Sequence, residues 1–239
     1  MDWYLAWFGE DYFELYGHRN EVEASAQVDF LASQVDLKPP HRVIDIGCGA
    51  GRHLKSMQKF SDKLYGIDTS LTALKLAKTT APRLNLALSD MRSLPFPNAE
   101  FDLATSFFTS FGYFKTDAEH FQVLQEWKRI LKPSGKLFLD LPNREHVMNT
   151  LNPRSEKSIN QKAIVEERSL SKDQKRVEKV ITISSPQKQK KFTESVRLFS
   201  FEEIKALLNA AGFKIKSKFG AHAKTAYTSQ SERLVIITE

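Results

Sequence analysis

Three glycines and two aspartates are the residues of this sequence whose types and spacing indicate ligand chemistry. Gly47, Gly49 and Gly51 lie in the stretch VIDIGCGAGRH, directly after a short apolar run. Glycines at this spacing let the backbone turn tightly and approach a ligand without a clash from a Cβ atom. Asp68 and Asp90 follow at the ends of the next two apolar runs. A loop of this type usually wraps a nucleotide, and its neighbours must indicate which one.

The glycine loop departs from the dinucleotide fingerprint G-x-G-x-x-G/A, because Arg52 stands three residues after Gly49. The tighter spacing suits a ligand without a pyrophosphate. Asp68 can accept hydrogen bonds from both hydroxyls of a ribose, although taken alone it suits a helix N-cap or a surface carboxylate better. Asp90 can accept from an adenine amine while Met91 packs on the ring, and its alternative is a turn-forming aspartate. Together the two carboxylates favour an adenosine-containing ligand.

The elements that must position these residues alternate between strands and helices. Apolar runs predict strands over 42–46, 63–67, 84–88, 101–106 and 136–141, and apolar periodicity and capping residues predict helices over 10–35, 51–60, 70–79 and 116–131. This order implies right-handed crossovers and a parallel sheet with helices on both faces. In such sheets ligands bind beyond the carboxyl ends of the strands, so the glycine loop and both carboxylates should share one rim.

The pattern changes after Pro142. Alternating segments predict an antiparallel meander over 163–170, 176–183 and 191–199, and a capping box precedes a last helix and two closing strands, 213–219 and 234–238. The stretch 145–162 is expected to be a flexible connector. The predicted organisation is therefore a cap and cofactor-binding core (1–144), an antiparallel β insertion (145–199), and a closing helix with antiparallel strands (200–239).

Five successive motifs resemble those of class I S-adenosylmethionine-dependent methyltransferases. They are VIDIGCGAGRH, GIDTS, LSDMRSLPF, FDLATSFFTSFGYF and RILKPSGKLFLDL, and they cover about residues 40–142. The resemblance implies an α/β, Rossmann-like, seven-stranded and mostly parallel sheet that ends in a reversed hairpin. It implies S-adenosylmethionine as the cofactor and S-adenosylhomocysteine as its product. The cofactor contacts that it implies are Asp45, Gly47, Gly49 and Gly51 at the methionine part, Asp68 at the ribose, Asp90 and Met91 at the adenine, and Thr69 and Phe107 beside them.

The N-terminal flank carries a second resemblance. DYFELYGHRNEVEASAQVDFL is similar to the cap of small-molecule enzymes such as glycine N-methyltransferases and aminosugar N,N-dimethyltransferases. It implies that Tyr16 and Arg19 close over the cofactor, with the arginine pairing with its carboxylate. A surface arginine beside an aromatic stripe is the alternative. The stretch DLPNREHV departs from the aminosugar enzymes, so their substrate is not implied.

Methyl transfer from a sulfonium is an in-line displacement, in which the enzyme chiefly aligns and desolvates the acceptor. An amine with a free lone pair needs little base. Ser110, Phe111 and Arg144 are the candidate substrate contacts, and Tyr113 is the candidate catalytic residue. An aromatic core position for Tyr113 and a helix cap for Arg144 are the alternatives. His222 and Arg197 are weaker candidates, because nothing in the sequence fixes them relative to the cofactor.

Composition narrows the class of protein further. Cys48 is the only cysteine and lies inside the glycine loop, which excludes an internal disulfide and disfavours a cysteine nucleophile. The six histidines lack metal-ligand spacing, so no metal is expected. No apolar run suits a membrane span and no secretory signal is recognised, so a cytoplasmic location is expected.

Positive charge is concentrated in the C-terminal part. Residues 150–239 hold 18 Lys and Arg against 10 Asp and Glu, within a net charge of +6 for the chain. A basic surplus can attract nucleic acid, or can simply be a solvated lysine-rich face. The sequence thus predicts a methyltransferase for a small molecule, with a nitrogen acceptor favoured. An RNA-binding protein or RNA methyltransferase that uses the basic half is the alternative, and a homodimer through the β insertion is a further expectation.

Overall fold

A central mixed sheet organises the chain, of which the computed structural model describes residues 2–16 and 21–239. The helices are α1 (Trp3–Trp7), α2 (Glu10–Tyr16), α3 (Glu21–Val35), α4 (Arg52–Met57), α5 (Leu71–Thr80), α6 (Asp117–Ile130), α7 (Arg144–Thr150) and α8 (Phe201–Ala210). The strands are β1 (Val43–Ile46), β2 (Leu64–Asp68), β3 (Asn85–Leu88), β4 (Phe101–Ser106), β5 (Leu131–Pro142), β6 (Arg154–Ile159), β7 (Lys162–Leu170), β8 (Arg176–Ser184), β9 (Gln189–Arg197), β10 (Ile215–Ala221), β11 (Ala223–Ala226) and β12 (Arg233–Thr238).

The order of strands in this sheet is β11-β10-β12-β5-β4-β1-β2-β3. Strands β1 to β5 pair in parallel, whereas β12 runs antiparallel to β5 and β10 antiparallel to β12. The mostly parallel, Rossmann-like sheet with its reversed hairpin is therefore confirmed. Seven strands correspond to the expected set, and the short edge strand β11 is added to it.

Helices cover both faces of the sheet, as its strands require. All four residues of β1 are buried, which is typical of a parallel strand between two layers. Apolar side chains of α3, α4 and α5 form one core layer, while those of α6 and α8 form the other. The capping boxes that begin α6 and α8 both form, at Thr116 and Ser200. Within the described residues, no helix combines the length and apolar character that a bilayer span needs.

A second sheet, with the order β6-β7-β8-β9, is antiparallel and packs on the N-terminal helices. The Trp7 ring of α1 lies 4.6 Å from the Phe192 ring of β9, and Trp7 Nε1 donates to Glu194 Oε1 at 2.6 Å. Tyr16 at the end of α2 donates its hydroxyl to Glu166 Oε1 at 2.8 Å and accepts from Lys179 Nζ at 3.0 Å. The insertion is thus the support on which α1 and α2 rest.

Acidic residues of α2 neutralise part of the basic insertion. Lys190 Nζ lies 2.7 Å from a carboxylate oxygen of Asp11, and Lys162 pairs with Glu14. These pairs join segments from opposite ends of the chain. Part of the C-terminal charge surplus is therefore used inside the molecule.

The segment 145–162 is not the flexible connector that the sequence predicts. It contains most of α7 and the whole of β6, which pairs with β7 in register from Arg154↔Glu167 to Ile159↔Lys162. The charged sequence RSEKSI lacks apolar alternation, so its order comes from the backbone ladder to β7. The helix expected over 10–35 is observed at 10–16 and 21–35, and residues 17–20 lie outside the described part.

Gly66 of β2 is a position where a methyl group should be costly. A Cβ atom there would lie 2.6 Å from Leu54 Cδ1, 2.8 Å from Cys48 Sγ and 2.9 Å from Leu86 Cδ2. We expect Gly66→Ala to lower the free energy of unfolding by about 1–3 kcal/mol, because overpacking forces neighbours to move. Urea unfolding measures this, with Gly9→Ala as the control, since a Cβ at Gly9 meets nothing within 4 Å. Equal unfolding midpoints for the two variants would contradict the expected clash.

Candidate active site

A cavity of about 510 Å³ lies at the carboxyl ends of the parallel strands. Its volume is within the roughly 300–1,000 Å³ that is usual for small-molecule sites. Its wall includes the glycine loop, the residues that follow β2, β3 and β4, aromatic rings from the N-terminal helices, and side chains of α4 and α5. The expected convergence of the loop and the two carboxylates on one rim is therefore observed.

The three glycines of the loop have two different functions in the structure. All of them have positive φ angles, 76° for Gly47, 54° for Gly49 and 76° for Gly51, a region that L side chains rarely adopt. Gly47 and Gly49 line the cavity, and a Cβ on Gly49 would meet no protein atom within 4 Å. The space beside Gly49 is open to a ligand. Gly51 instead packs on α5, where a Cβ would lie 3.0 Å from that of Ala77.

Asp68 connects the glycine loop to the next strand. Its Oδ2 accepts from the Gly49 N–H at 2.8 Å, and its Oδ1 accepts from the Ser70 N–H at 2.8 Å. Burial raises the pKa of this carboxyl group, while the backbone donors oppose the rise. Each oxygen has a further lone pair, and the residue lines the cavity together with Thr69. This arrangement fits a ligand that offers two neighbouring hydroxyls.

Asp90 is already engaged by a cation. Arg92 donates to its carboxylate through the backbone N–H at 2.8 Å and through the guanidinium at 2.7 Å. Burial alone would raise the pKa of Asp90, but the bonds to Arg92 outweigh it and hold the pKa below its usual value. Arg92 also pairs with Glu119 at 2.8 Å and reaches the Tyr4 hydroxyl at 3.3 Å. A ligand amine at Asp90 must therefore share the carboxylate with Arg92, while Met91 beside it lines the cavity.

Asp45 does not line the cavity. The side chain is buried on β1, and Thr105 Oγ1 donates to its Oδ1 at 2.8 Å. Burial raises the pKa of Asp45 to about 7, against the opposing effects of the Thr105 hydrogen bond and the Arg52 charge. Any influence on a ligand is exerted from behind the glycine loop.

The remaining expected cavity residues are Tyr16, Phe107, Ser110 and Tyr113, and all of them line it. The Ser110 hydroxyl lies 3.3 Å from both the Gly47 and the Phe107 carbonyl oxygens, so it donates within the protein. Arg19 lies outside the described residues.

Tyr113 belongs to an aromatic group contributed largely by α1. Its ring lies 4.8 Å from that of Trp3, edge to face, and 5.6 Å from that of Phe8, nearly parallel. One side of the phenol is thus held by packing, while the residue still borders the cavity.

Two expected substrate contacts lie elsewhere. Phe111 is fully buried in the core, where its ring packs on those of Trp127 and Phe199. Arg144 begins α7, and its guanidinium bonds to Glu203 Oε2 at 3.2 Å. Neither residue borders the cavity, because the chain turns at the positive-φ Gly112 and directs Phe111 inward while Arg144 pairs with α8.

Several cavity residues were missed by sequence reasoning. Tyr4, Phe8, Tyr12 and Phe13 come from the first sixteen residues, MDWYLAWFGEDYFELY, whose aromatic density was the available signal. His53 also lines the cavity, with its ring stacked on Phe107 at 4.0 Å and 7°. Burial holds its pKa well below the ordinary value, so it is a neutral imidazole.

Residues 44–139 match the family model described as a methyltransferase domain. With the sheet order described above, the chain has the class I S-adenosylmethionine-dependent methyltransferase fold, and the matches together support a methyltransferase with S-adenosylmethionine as its cofactor. The residues present fit that cofactor, because the space at Gly49 is open and Asp68 faces it with acceptors only.

Among curated proteins, the chain is 27% identical to the uncharacterized protein MJ1252 of Methanocaldococcus jannaschii over 193 residues, which are 79% of this chain and 68% of that protein. It is 30% identical to a demethylmenaquinone methyltransferase of Paenarthrobacter aurescens over 109 residues, 46% of this chain. The chain spans 42% of the length of that enzyme.

Solved structures share nearly the whole fold. The CcbJ methyltransferase of Streptomyces caelestis superposes with a TM-score of 0.82 at 13% identity, covering 98% of this chain and 97% of that one. An S-adenosylmethionine-dependent methyltransferase of Clostridium acetobutylicum gives 0.79 at 17% identity, with 94% of each chain covered. The sugar N-methyltransferase KedS8 of Streptoalloteichus gives 0.71 at 18% identity, covering 96% and 92%. At these identities the likeness establishes the fold.

Proposed function

We propose that the protein transfers a methyl group from S-adenosylmethionine to a small molecule, with a nitrogen atom as the favoured acceptor. The observation that carries the proposal is the aromatic wall of the cavity, contributed by Phe8, Tyr12, Tyr16 and Tyr113. A cavity of this volume under two covering helices suits a compact acceptor.

The aromatic wall supports an amine or a planar ring as the acceptor group. The face of an aromatic ring attracts an ammonium ion by about 0.5–2 kcal/mol, depending on how far the cation is desolvated. The same faces stack on a flat ring, as would suit a quinone. The structural likeness to a sugar N-methyltransferase and the partial sequence likeness to a quinone methyltransferase support these two acceptor types respectively.

Methyl transfer requires little more of the chain than that it position the acceptor. S-adenosylmethionine, when bound, supplies an electrophilic methyl group on a good leaving group. The wall residues hold the acceptor nitrogen in line with that methyl and exclude water, which favours the approach of a neutral amine. Tyr113 is proposed to orient the acceptor through its hydroxyl. An amine that arrives protonated gives its proton to solvent, so no dedicated base is required.

The paired charges of the insertion support a small molecule over RNA. Lys190 and Lys162 are engaged by Asp11 and Glu14, which lowers the number of cations available to phosphates. Salt-dependent RNA binding by a Lys188→Ala/Lys191→Ala variant, compared with the parent, tests that alternative. Tight RNA binding that the two substitutions abolish would favour the RNA alternative. Sedimentation of the same samples reports whether the chain forms dimers.

The test of the proposed function is an unbiased search for the acceptor. Purified protein is incubated with methyl-labelled S-adenosylmethionine and a fractionated bacterial metabolite extract, with Asp68→Ala as the inactive control. We expect label in a small molecule, and then higher turnover on amines, aminosugars included, than on quinols in a defined panel. Label confined to RNA or protein fractions would contradict the proposal.

The role of Tyr113 is tested on the acceptor found in that search. We expect Tyr113→Phe to lower kcat about tenfold, the scale expected when one hydrogen bond of about 1.4 kcal/mol in the transition state is removed. The affinity for S-adenosylhomocysteine should be unchanged. An unaltered kcat would assign Tyr113 to packing alone.

A further inference from the structure

Phe108, the second residue after β4, has a backbone conformation that needs support. Its φ angle is +65°, in the left-handed region that bulky L residues rarely adopt. Phe108 lines the cavity with its neighbours Phe107, Thr109 and Ser110. Strained backbone at such a place persists only where surrounding groups hold it.

Asp140 and Arg233 hold Phe108 at both ends of its peptide. Asp140 Oδ2 accepts from the Phe108 N–H at 2.8 Å, and the Arg233 guanidinium donates to the Phe108 carbonyl oxygen. The same guanidinium lies 5.2 Å from the centre of the Phe108 ring. The two holding residues are also joined to each other, because Arg233 Nε donates to Asp140 Oδ1 at 2.8 Å.

His222 completes the group behind the cavity wall. Its Nε2 lies 3.0 Å from Asp140 Oδ2. Its ring also lies 6.4 Å from that of Phe107, nearly parallel to it. Burial alone would raise the pKa of Asp140, but Arg233 and His222 hold it below the usual value, so the carboxylate is charged.

We infer that Asp140, Arg233 and His222 form a clamp that positions residues 107–110 as the wall shared by cofactor and acceptor. We call these three residues the Phe108 clamp. Asp140 lies on β5, Arg233 on β12 and His222 directly after β10, and these three strands are neighbours in the central sheet. The clamp therefore fixes residues 107–110 relative to these strands of the sheet. Its three members are positioning residues.

The glycine loop is the second surface that the clamp controls. Ser110 contacts Gly47, where an added Cβ would lie 2.6 Å from Ser110 Cβ. A shift of residues 107–110 would therefore disturb the glycine loop as well as the acceptor side. This inference rests on the proposed function only in assigning part of the cavity to an acceptor.

The test compares Asp140→Asn and Arg233→Lys with the parent protein and with Asp102→Asn. Asp102 is a matched control, since its carboxylate also accepts one backbone N–H, from Arg42 at 2.8 Å, and pairs with one cation, Lys132. Asp102 is the second residue of β4 and lies at the end of that strand opposite to Phe108. Hydrogen–deuterium exchange of the peptide covering 107–110 and calorimetric binding of S-adenosylhomocysteine are measured for every variant.

For both clamp variants we expect amide exchange at 107–110 to rise at least tenfold and S-adenosylhomocysteine affinity to fall threefold to tenfold. Exchange in β1 and β2 should stay as in the parent, and Asp102→Asn should alter neither reading. Unchanged exchange at 107–110, or a rise spread evenly over the sheet, would overturn the clamp. Arg233→Lys decides the question if Asp140→Asn fails to fold, because it keeps the charge next to Asp140.

A failure of the proposed function would be visible separately. If no acceptor is found, the exchange and calorimetric readings still test the clamp. If one is found, the clamp variants should lower kcat by a larger factor than they raise KM for S-adenosylmethionine. If kcat falls and KM for S-adenosylmethionine rises by the same factor, the residues act in cofactor binding and not in the position of the wall, which contradicts the inference.

Discussion

Replacing Asp68 with alanine should weaken binding of S-adenosylmethionine and S-adenosylhomocysteine at least 100-fold. The carboxylate is expected to accept two hydrogen bonds from ribose hydroxyls, and hydrogen bonds to charged groups contribute about 1.5–3 kcal/mol each. It also holds the Gly49 and Ser70 N–H groups, so its removal releases the glycine loop. A loss of about 3 kcal/mol corresponds to roughly 100-fold in Kd.

Calorimetry at one pH measures this effect, with Asp62→Ala as the control. Asp62 is an exposed aspartate shortly before the same strand, and its removal should leave Kd unchanged. Asp68→Asn should fall between the parent and the alanine variant, since an amide keeps one acceptor oxygen. Binding of NAD by the parent, with no binding of S-adenosylhomocysteine, would defeat the cofactor assignment as well as the prediction.

Replacing Asp45 with asparagine should stabilise the ligand-free protein at neutral and alkaline pH. The pKa of Asp45 is raised from 3.8 to about 7 in the folded state. The folded protein therefore binds more protons than the unfolded chain between these values, so this group lowers the free energy of unfolding as pH rises from about 4 to 7. A raised pKa costs about 1.4 kcal/mol per unit, which sets an upper limit of about 4 kcal/mol above pH 7.

Urea unfolding at pH 5, 6.5 and 8 isolates the contribution of Asp45 as the difference between parent and variant. The variant should gain stability relative to the parent as pH rises and show the larger difference at pH 8. If the difference is constant with pH, Asp45 is not the titrating group.

The same substitution should have the opposite effect on ligand binding. A cationic methionine group near the glycine loop favours the ionised carboxylate, so parent affinity for S-adenosylmethionine should rise from pH 6 to 8. The Asn variant should bind about tenfold more weakly at pH 8 and without that rise, as expected when about 1.4 kcal/mol of charge interaction is lost. If the variant binds S-adenosylmethionine as tightly as the parent at pH 8, the charge of Asp45 does not act on the bound cofactor.

The core and the cofactor rim were predictable because they depend on local signals. Apolar runs that end in Asp68 and Asp90 place both residues at strand ends, and parallel strands bring those ends to one edge. The capping boxes at Thr116 and Ser200 likewise act within four residues. Such features are determined by short stretches of the sequence.

Features that depend on distant partners were not predictable. Arg92, which pairs with Asp90, also contacts Tyr4 and Glu119, and both of these partners come from other elements. The strand β6 gains its order from β7 rather than from its own apolar pattern. Phe111 and Phe107 look alike in sequence, yet Phe107 lines the cavity whereas Phe111 packs in the core on Trp127 and Phe199.

The support of α1 and α2 by the β insertion has a consequence for how this enzyme can change. The hydrogen bonds that hold α1 and α2 join residues far apart along the chain. Trp7 and Glu194 are 187 positions apart, and Tyr16 and Glu166 are 150 positions apart. The glycine loop, Asp68 and Asp90, by contrast, lie within the segment 44–139 that matches the methyltransferase family model. Substitutions in the N-terminal helices and in the β insertion can therefore change the aromatic side of the cavity while the glycine loop and the two carboxylates keep their sequence.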